Sequence, residues 1–351
     1  MIKIIKLTCF TLLLFLSSCK ADAQKIDDYT KKIDNLLKIT NPRSFNGVVF
    51  IQQNGKVKYE KAFGFSDFNL KTPLKISDRF STMSIAKQIT AALILQEVEK
   101  GTIDLHQPIR TYLPEFQYSW ADTITVHQLL NHTSGLYSDD LKPDLKFKSG
   151  TDFGYSNIGY YVAGLVLEKQ SQKTYQELVT SLFKKCKMNN SFYPTEISGK
   201  FLTKGHTIRK DGSFKLNEKL SFTADHYFGS HLIVTAPDLA KWNESLHHGK
   251  LLNPKTYQLM TSYSVTDTHQ VFSEKPIGYG YGLRINDKDS TYEIGHTGFH
   301  PGEGFTAVNL YYPKYKTSMI VMENQANENF DIAYYFEQEI RKIVKESSLL
   351  K

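Results

Sequence analysis

Strand-like sequence returns at the far end of this 351-residue chain after a long interval of mostly helical pattern, and that return limits what the chain can fold into. Near the start, Gly47-Val-Val-Phe-Ile51 and Val57-Lys-Tyr-Glu-Lys-Ala-Phe63 flank Asn54-Gly55, a pair that supplies the positive φ angles of a tight hairpin turn. Four further strand patterns follow at 278–285, 291–295, 305–312 and 317–323, the last two joined by Pro313-Lys-Tyr-Lys316. Connections this short suit an antiparallel meander. Between the two ends, residues 84–100 carry Ile85, Ile89, Ala92, Leu93 and Ile94 at helical spacing and close on Gly101, as a C-terminal cap would. Residues 124–187 are mostly helical in pattern, for example 158–170, and the chain ends on an amphipathic stripe of Ile332, Phe336, Ile340, Ile343 and Val344. The expectation is an α+β fold, an antiparallel β-sheet flanked by helices. Its α/β part comprises 24–120 plus 255–345 of a domain spanning 24–345, and a mainly helical subdomain of about 121–254 is inserted.

The first residues carry a different signal. Lys3 and Lys6 precede an apolar run from Leu7 to Leu16, and Ser17-Ser18-Cys19 follows, in the order of a secretory signal peptide. The run is too short to span a bilayer, which takes about 20 residues. Leu16-Ser17-Ser18-Cys19 resembles a bacterial lipoprotein box, which makes 1–18 the signal and Cys19 the lipidated first residue. Ala21-Asp22-Ala23 offers instead an ordinary cleavage site that removes 1–23 and frees a soluble protein at Gln24. The chain is therefore expected to be exported. It becomes either a periplasmic or outer-membrane-associated lipoprotein, held to the membrane through Cys19, or a secreted soluble protein.

Loss of residues 1–23 removes three lysines and one aspartate, so the formal charge of +7 falls to +5. Without a Lys/Arg block this is mild surface basicity, and no nucleic-acid partner is expected. Of the three cysteines only Cys186 remains after the leader, so no intramolecular disulfide can form, and the residue reads as packed in a helix. No Cys/His set has zinc spacing, and no metal or cofactor is expected.

Ser84-Ile85-Ala86-Lys87 puts a hydroxyl and an amine on one helical face. A serine is a weak nucleophile at neutral pH and needs a neighbour to take its proton. A lysine can do so once desolvation or a nearby cation lowers the ordinary pKa of about 10.4. The same spacing at Ser17/Lys20, Ser181/Lys184 and Ser348/Lys351 shows how cheaply it arises, and a helix N-cap beside a solvated lysine explains the tetrad equally well. Tyr155-Ser156-Asn157 is the only Y-x-N in the chain. Its phenol can relay a proton to a leaving group, and its amide can hold a substrate carbonyl. His296-Thr297-Gly298 precedes a glycine-rich turn, where Gly298 lets substrate backbone approach and the amide of residue 299 can donate to an oxyanion.

In the order S-x-x-K, Y-x-N, H-x-G these segments resemble the serine β-lactamase and penicillin-binding protein family of the class C type, which includes D-Ala-D-Ala carboxypeptidases, D-aminopeptidases and esterases. Lys56–Gly64, Arg79–Ala92, Gly101-Thr-Ile-Asp-Leu105, Tyr112-Leu-Pro-Glu-Phe116 and Leu129-Leu-Asn-His-Thr-Ser-Gly-Leu136 extend the likeness over nearly the whole mature chain. The resemblance implies an acyl-enzyme at Ser84, with Lys87 and Tyr155 sharing the proton work. Backbone N–H groups of Ser84 and Phe299 would form the oxyanion hole, and Asn157, His296, Thr297 and Gly298 would bind a small-molecule or peptide substrate. His132 would shape a turn behind the site. One departure matters: class C β-lactamases usually carry lysine where this chain has His296, and a histidine is mostly neutral at pH 7. D-amino-acid peptides and small esters then fit better than β-lactams, and a binding or assembly protein with the same fold is the alternative from another class.

Overall fold

The computed structural model describes residues 27–137, 140–196, 202–217 and 228–351. The leader, both cleavage sites and Cys19 lie outside these described residues. Its centre is an eight-stranded sheet built from β1 (Gly47–Gln53), β2 (Lys56–Phe63), β3 (Val265–His269), β4 (Ser273–Tyr279), β5 (Arg284–Asn286), β6 (Glu293–His300), β7 (Phe305–Tyr312) and β8 (Thr317–Glu323). The order across the sheet is β2-β1-β8-β7-β6-β5-β4-β3, and every neighbour pair is antiparallel. The hairpin thus joins the meander through β1 and β8, with Gly47 opposite Glu323 and Gln53 opposite Thr317. Asn54 and Gly55 carry φ of 50° and 73°, the positive values expected at that turn.

Both faces of the central strands are buried, which is why they read as near-continuous apolar runs. Val48, Phe50, Ile320 and Met322 point into one core; Val49, Ile51, Met319 and Val321 point into the other. The first core holds α2 (Ala86–Lys100); the second packs against α1 (Thr30–Leu36) and the C-terminal helix Tyr335–Glu346. The inserted region contributes α3 (Asn157–Ser171), α4 (Tyr175–Lys185) and α5 (Ala236–His247). It is less purely helical than its pattern suggests, since His206–Ile208 and Phe214–Leu216 are strands. The first of them pairs in parallel with Gln325–Asn327 from the chain end. Cys186 is buried at the end of α4, and burial raises its thiol pKa. Among the described residues no helix is long and apolar enough to cross a membrane.

Two strand boundaries differ from the sequence reading in ways that shape the site. The 278–285 pattern divides into β4 and β5 around a turn at Gly280–Leu283, where Gly282 has φ of 66°. His296-Thr297-Gly298 lies inside β6 rather than beyond a strand end, because the strand continues to His300 opposite Phe305.

Candidate active site

Ser84 sits in the 3-10 turn Met83–Ile85 that opens directly into α2. Met83 takes φ of 43°, a left-handed value costly for a residue with a side chain, and the tight turn this makes lets α2 begin one residue after Ile85. One turn on, Lys87 is 1% exposed. Its Nζ donates to Ser84 Oγ at 3.2 Å, to Asn157 Oδ1 at 2.8 Å and to the Gly229 carbonyl at 3.3 Å. These three acceptors account for the three N–H bonds of an ammonium; as a neutral amine the group would keep two and turn a lone pair to Oγ.

Strand β6 runs beside that turn at a distance only glycine tolerates. A Cβ on Gly298 would stand 2.5 Å from the Thr82 carbonyl oxygen and 2.9 Å from Met83 Cε. The close approach brings the backbone at Phe299 alongside Ser84, and both residues line the same cavities.

Tyr155 precedes α3, whose N-cap is Ser156, so Tyr155 and Asn157 flank a fixed helix start. The Lys87 ammonium lies 5.0 Å from the Tyr155 ring centroid. The phenol is 38% exposed and its hydroxyl makes no hydrogen bond among the described residues, which leaves it available at the mouth of the cavity.

Behind Tyr155 the side chains form a chain of fixed tautomers. His132 Nδ1 accepts the Ser156 N–H at 3.1 Å, so His132 carries its proton on Nε2, which faces Tyr279 Oη at 3.0 Å. Tyr279 in turn donates to His296 Nε2 at 2.9 Å, and His296 Nδ1–H points to the Thr297 carbonyl at 2.6 Å. Burial, with the Arg284 and Lys87 charges nearby, holds the His296 pKa well below its usual value; burial and Lys87 do the same to His132. The His132 ring centroid is 4.3 Å from that of Tyr155, so the turn residue anticipated as structural backs the phenol directly.

Two cavities meet at Ser84. One, of about 210 Å³, is lined by Met83, Ser84, Asn157, Phe299, His231 and His300 among others. The second, of about 260 Å³, is lined by Ser84, Tyr155, Asn157, Arg284, His296 and Thr297 among others. Ser84, Lys87, Tyr155, Asn157, His296, Thr297, Gly298 and Phe299 are thus brought to one place. His296 differs from expectation in one respect: it is 1% exposed with both nitrogens engaged, so it shapes the wall and offers no free nitrogen to a substrate.

Sequence reasoning missed Tyr279, Arg284 and His269. Arg284 pairs with Asp267 at 2.9 Å, its Nε is buried without a hydrogen bond among the described residues, and it lines the second cavity. His269 Nε2 lies 3.0 Å from Thr297 Oγ1. A lone arginine in a short strand gives no spacing signal; only its place opposite Gly295 in the β5–β6 register could have marked it.

The family model described as Beta-lactamase matches residues 32–341. The putative penicillin-binding protein PbpX of Bacillus subtilis (strain 168) is 26% identical over 327 residues, covering 88% of this chain and 78% of that protein. Protein flp of Staphylococcus aureus (strain NCTC 8325 / PS 47) is 25% identical over 308 residues, 80% of this chain but 59% of flp, so the chain spans only part of that relative's length. Among solved structures, D-amino acid amidase from Ochrobactrum anthropi SV3 superposes with a TM-score of 0.75 at 20% identity, over 90% of this chain and 96% of the amidase, a likeness of fold.

Proposed function

Since the chain belongs to the beta-lactamase family, we propose that it is an exported serine hydrolase that forms an acyl-enzyme at Ser84 and hydrolyses a D-amino-acid peptide. One observation carries the reading: Lys87 Nζ stands 3.2 Å from Ser84 Oγ, and Ser84 opens into a cavity shared with Tyr155, Asn157 and Thr297. A hydroxyl, an amine and a phenol gathered in this way support hydrolysis over the alternative of a binding or assembly protein, which needs no proton relay.

Ser84 Oγ attacks the carbonyl carbon while its proton passes to Lys87 as the neutral amine. The tetrahedral oxyanion is held by the N–H groups of Ser84 and Phe299, each such donor contributing about 10²–10³ in rate. Tyr155, with its hydroxyl uncommitted at the cavity mouth, hands a proton to the leaving amine, and the same groups run in reverse when water removes the acyl group. Asn157 has its carbonyl oxygen tied to Lys87, so its two N–H donors face other partners, of which a substrate carbonyl is one.

Arg284 favours a peptide with a free carboxylate. At the position where a class C β-lactamase usually presents a lysine, His296 is neutral and engaged, and among the described residues that line the same cavity the Arg284 guanidinium supplies a cation. Asp267 offsets part of that charge, and this supports small neutral esters as the second reading. Export, with or without a lipid on Cys19, belongs to the same proposal and rests on residues 1–23.

The test is covalent labelling with a fluorophosphonate or a labelled penicillin: the wild type forms an adduct and Ser84→Ala forms none. Labelling of the variant at the wild-type level would end the mechanism. Arg284→Gln then separates the substrate classes. Its kcat/KM should fall about 10- to 10²-fold for D-Ala-D-Ala peptides and far less for p-nitrophenyl acetate, since a charge-assisted pair contributes about 1.5–3 kcal/mol. Equal losses on both would favour the ester reading.

A further inference from the structure

Three metal-type donors from two distant segments meet beside Ser84. His231 and His300 line the cavity that holds Ser84, Asn157 and Phe299, and Glu303, 6% exposed, completes the group. One ligand atom from each lies within 4.8 Å of the other two. His231 Nδ1 and Glu303 Oε2 are 3.2 Å apart, about the separation of two ligands on one tetrahedral zinc with bonds of about 2.0–2.1 Å.

That contact is an ion pair when His231 is protonated. Glu303 Oε2 is buried and accepts no hydrogen bond among the described residues. With the ring neutral, the same separation places the imidazole and the carboxylate as two ligands of a shared cation. His300 can join them without loss. Its Nδ1 accepts the Glu303 N–H at 3.0 Å, but that N–H also reaches the His300 carbonyl at 3.1 Å, so turning the ring to a cation leaves no donor unpaired.

We infer that His231, His300 and Glu303 form a binding site for a divalent transition-metal ion on the wall of the cavity into which Ser84 opens. Two imidazoles and one carboxylate suit Zn²⁺ rather than Mg²⁺ or Ca²⁺, which take oxygen ligands. Three protein ligands leave a fourth position for water or a substrate oxygen, and it falls on the side where the two histidines face the cavity. His231 and His300 are far apart in the chain, which is why no zinc spacing is visible in the sequence.

The site stands apart from the hydrolase reading, so it is tested with metal alone. EDTA-stripped mature wild type and the Ser84→Ala protein compete for Zn²⁺ against a chromogenic chelator of micromolar affinity. Both should take up one Zn²⁺ per chain, and His300→Gln and Glu303→Gln should each bind at least tenfold more weakly. Circular dichroism melting establishes which near-isosteric variants keep the wild-type fold, and affinity is read from those. Wild-type affinity in a folded Glu303→Gln protein, or no uptake by the wild type, would overturn the inference.

Discussion

Lys87 Nζ stands 2.8 Å from Asn157 Oδ1, closer than its 3.2 Å to Ser84 Oγ. The amide therefore sets where the amine sits before any substrate arrives.

Asn157→Ala should for that reason slow acylation itself and not only weaken substrate binding. A hydrogen bond to a charged group is worth about 1.5–3 kcal/mol, or about 10- to 10²-fold in rate if it positions the base. Asn157→Asp should be slower still, because a carboxylate at that distance favours the protonated amine, which cannot accept the serine proton. Stopped-flow acylation by a chromogenic ester measures both, and wild-type acylation rates in Asn157→Ala would show that Lys87 needs no such support.

Gly298→Ala tests the contact between β6 and the Ser84 turn. The added Cβ meets the Thr82 carbonyl oxygen at 2.5 Å, and a backbone oxygen moves only with the turn that carries Ser84. The variant should lose at least about 10²-fold in kcat/KM, as expected when a reacting group is displaced by about 1 Å. Its melting temperature should fall by only a few degrees, since overpacking costs typically about 1–3 kcal/mol. Activity within a few-fold of wild type would mean that the strand can yield without moving Ser84.

The same contact explains what the sequence could and could not reveal. The hairpin, the last two strands and the buried helix after Ser84 were legible because a period of two or of 3.6 is written in neighbouring residues. The three candidate site segments were legible because each packs several polar side chains of chemical use into three or four positions. Tyr279 and Arg284 were not, because each acts through a partner in another strand, and the His132–Tyr279–His296 chain exists only once the sheet has placed β4 and β6 on either side of the short β5, next to the 131–136 turn. His296 lines the cavity, but its engagement was hidden, since no local pattern says that both ring nitrogens will be used.

Arg43 offers a prediction about stability alone. Its guanidinium grips both oxygens of Glu323, at 2.8 and 2.7 Å, and reaches Glu337 at 3.3 Å, all fully buried. Burial and the Glu323 charge hold the Glu337 pKa well above normal, so Glu323 is the carboxylate that neutralises Arg43. Glu323→Gln should cost about 3–5 kcal/mol by leaving a buried cation unbalanced, whereas Glu337→Gln mimics a carboxyl that already keeps its proton and should cost under about 1 kcal/mol. Urea unfolding at pH 6 distinguishes them; equal losses would mean that the charge is shared between the two.

Acid sensitivity follows from the buried histidines. Burial depresses the pKa of His206 to about 4 and of His247 to about 3, and holds His132, His269 and His296 well below normal. Each stays neutral when folded and takes a proton near pH 6.5 when unfolded, so the unfolded chain binds more protons and stability rises with pH. That stability is complete above about pH 6.5 and is lost as pH falls towards each folded value, at about 1.4 kcal/mol per pH unit per histidine. Glu337, with a raised pKa, acts in the opposite sense, since its contribution is present below the unfolded value of 4.5 and lost as pH rises. One such group does not offset five histidines between pH 5 and 6.5. Urea midpoints should therefore drop steeply across that interval. His206→Gln removes one of the five and should flatten the slope by up to about 1.4 kcal/mol per pH unit, most at the acid end of the interval; a slope parallel to the wild type would mean that His206 already binds its proton in the folded chain.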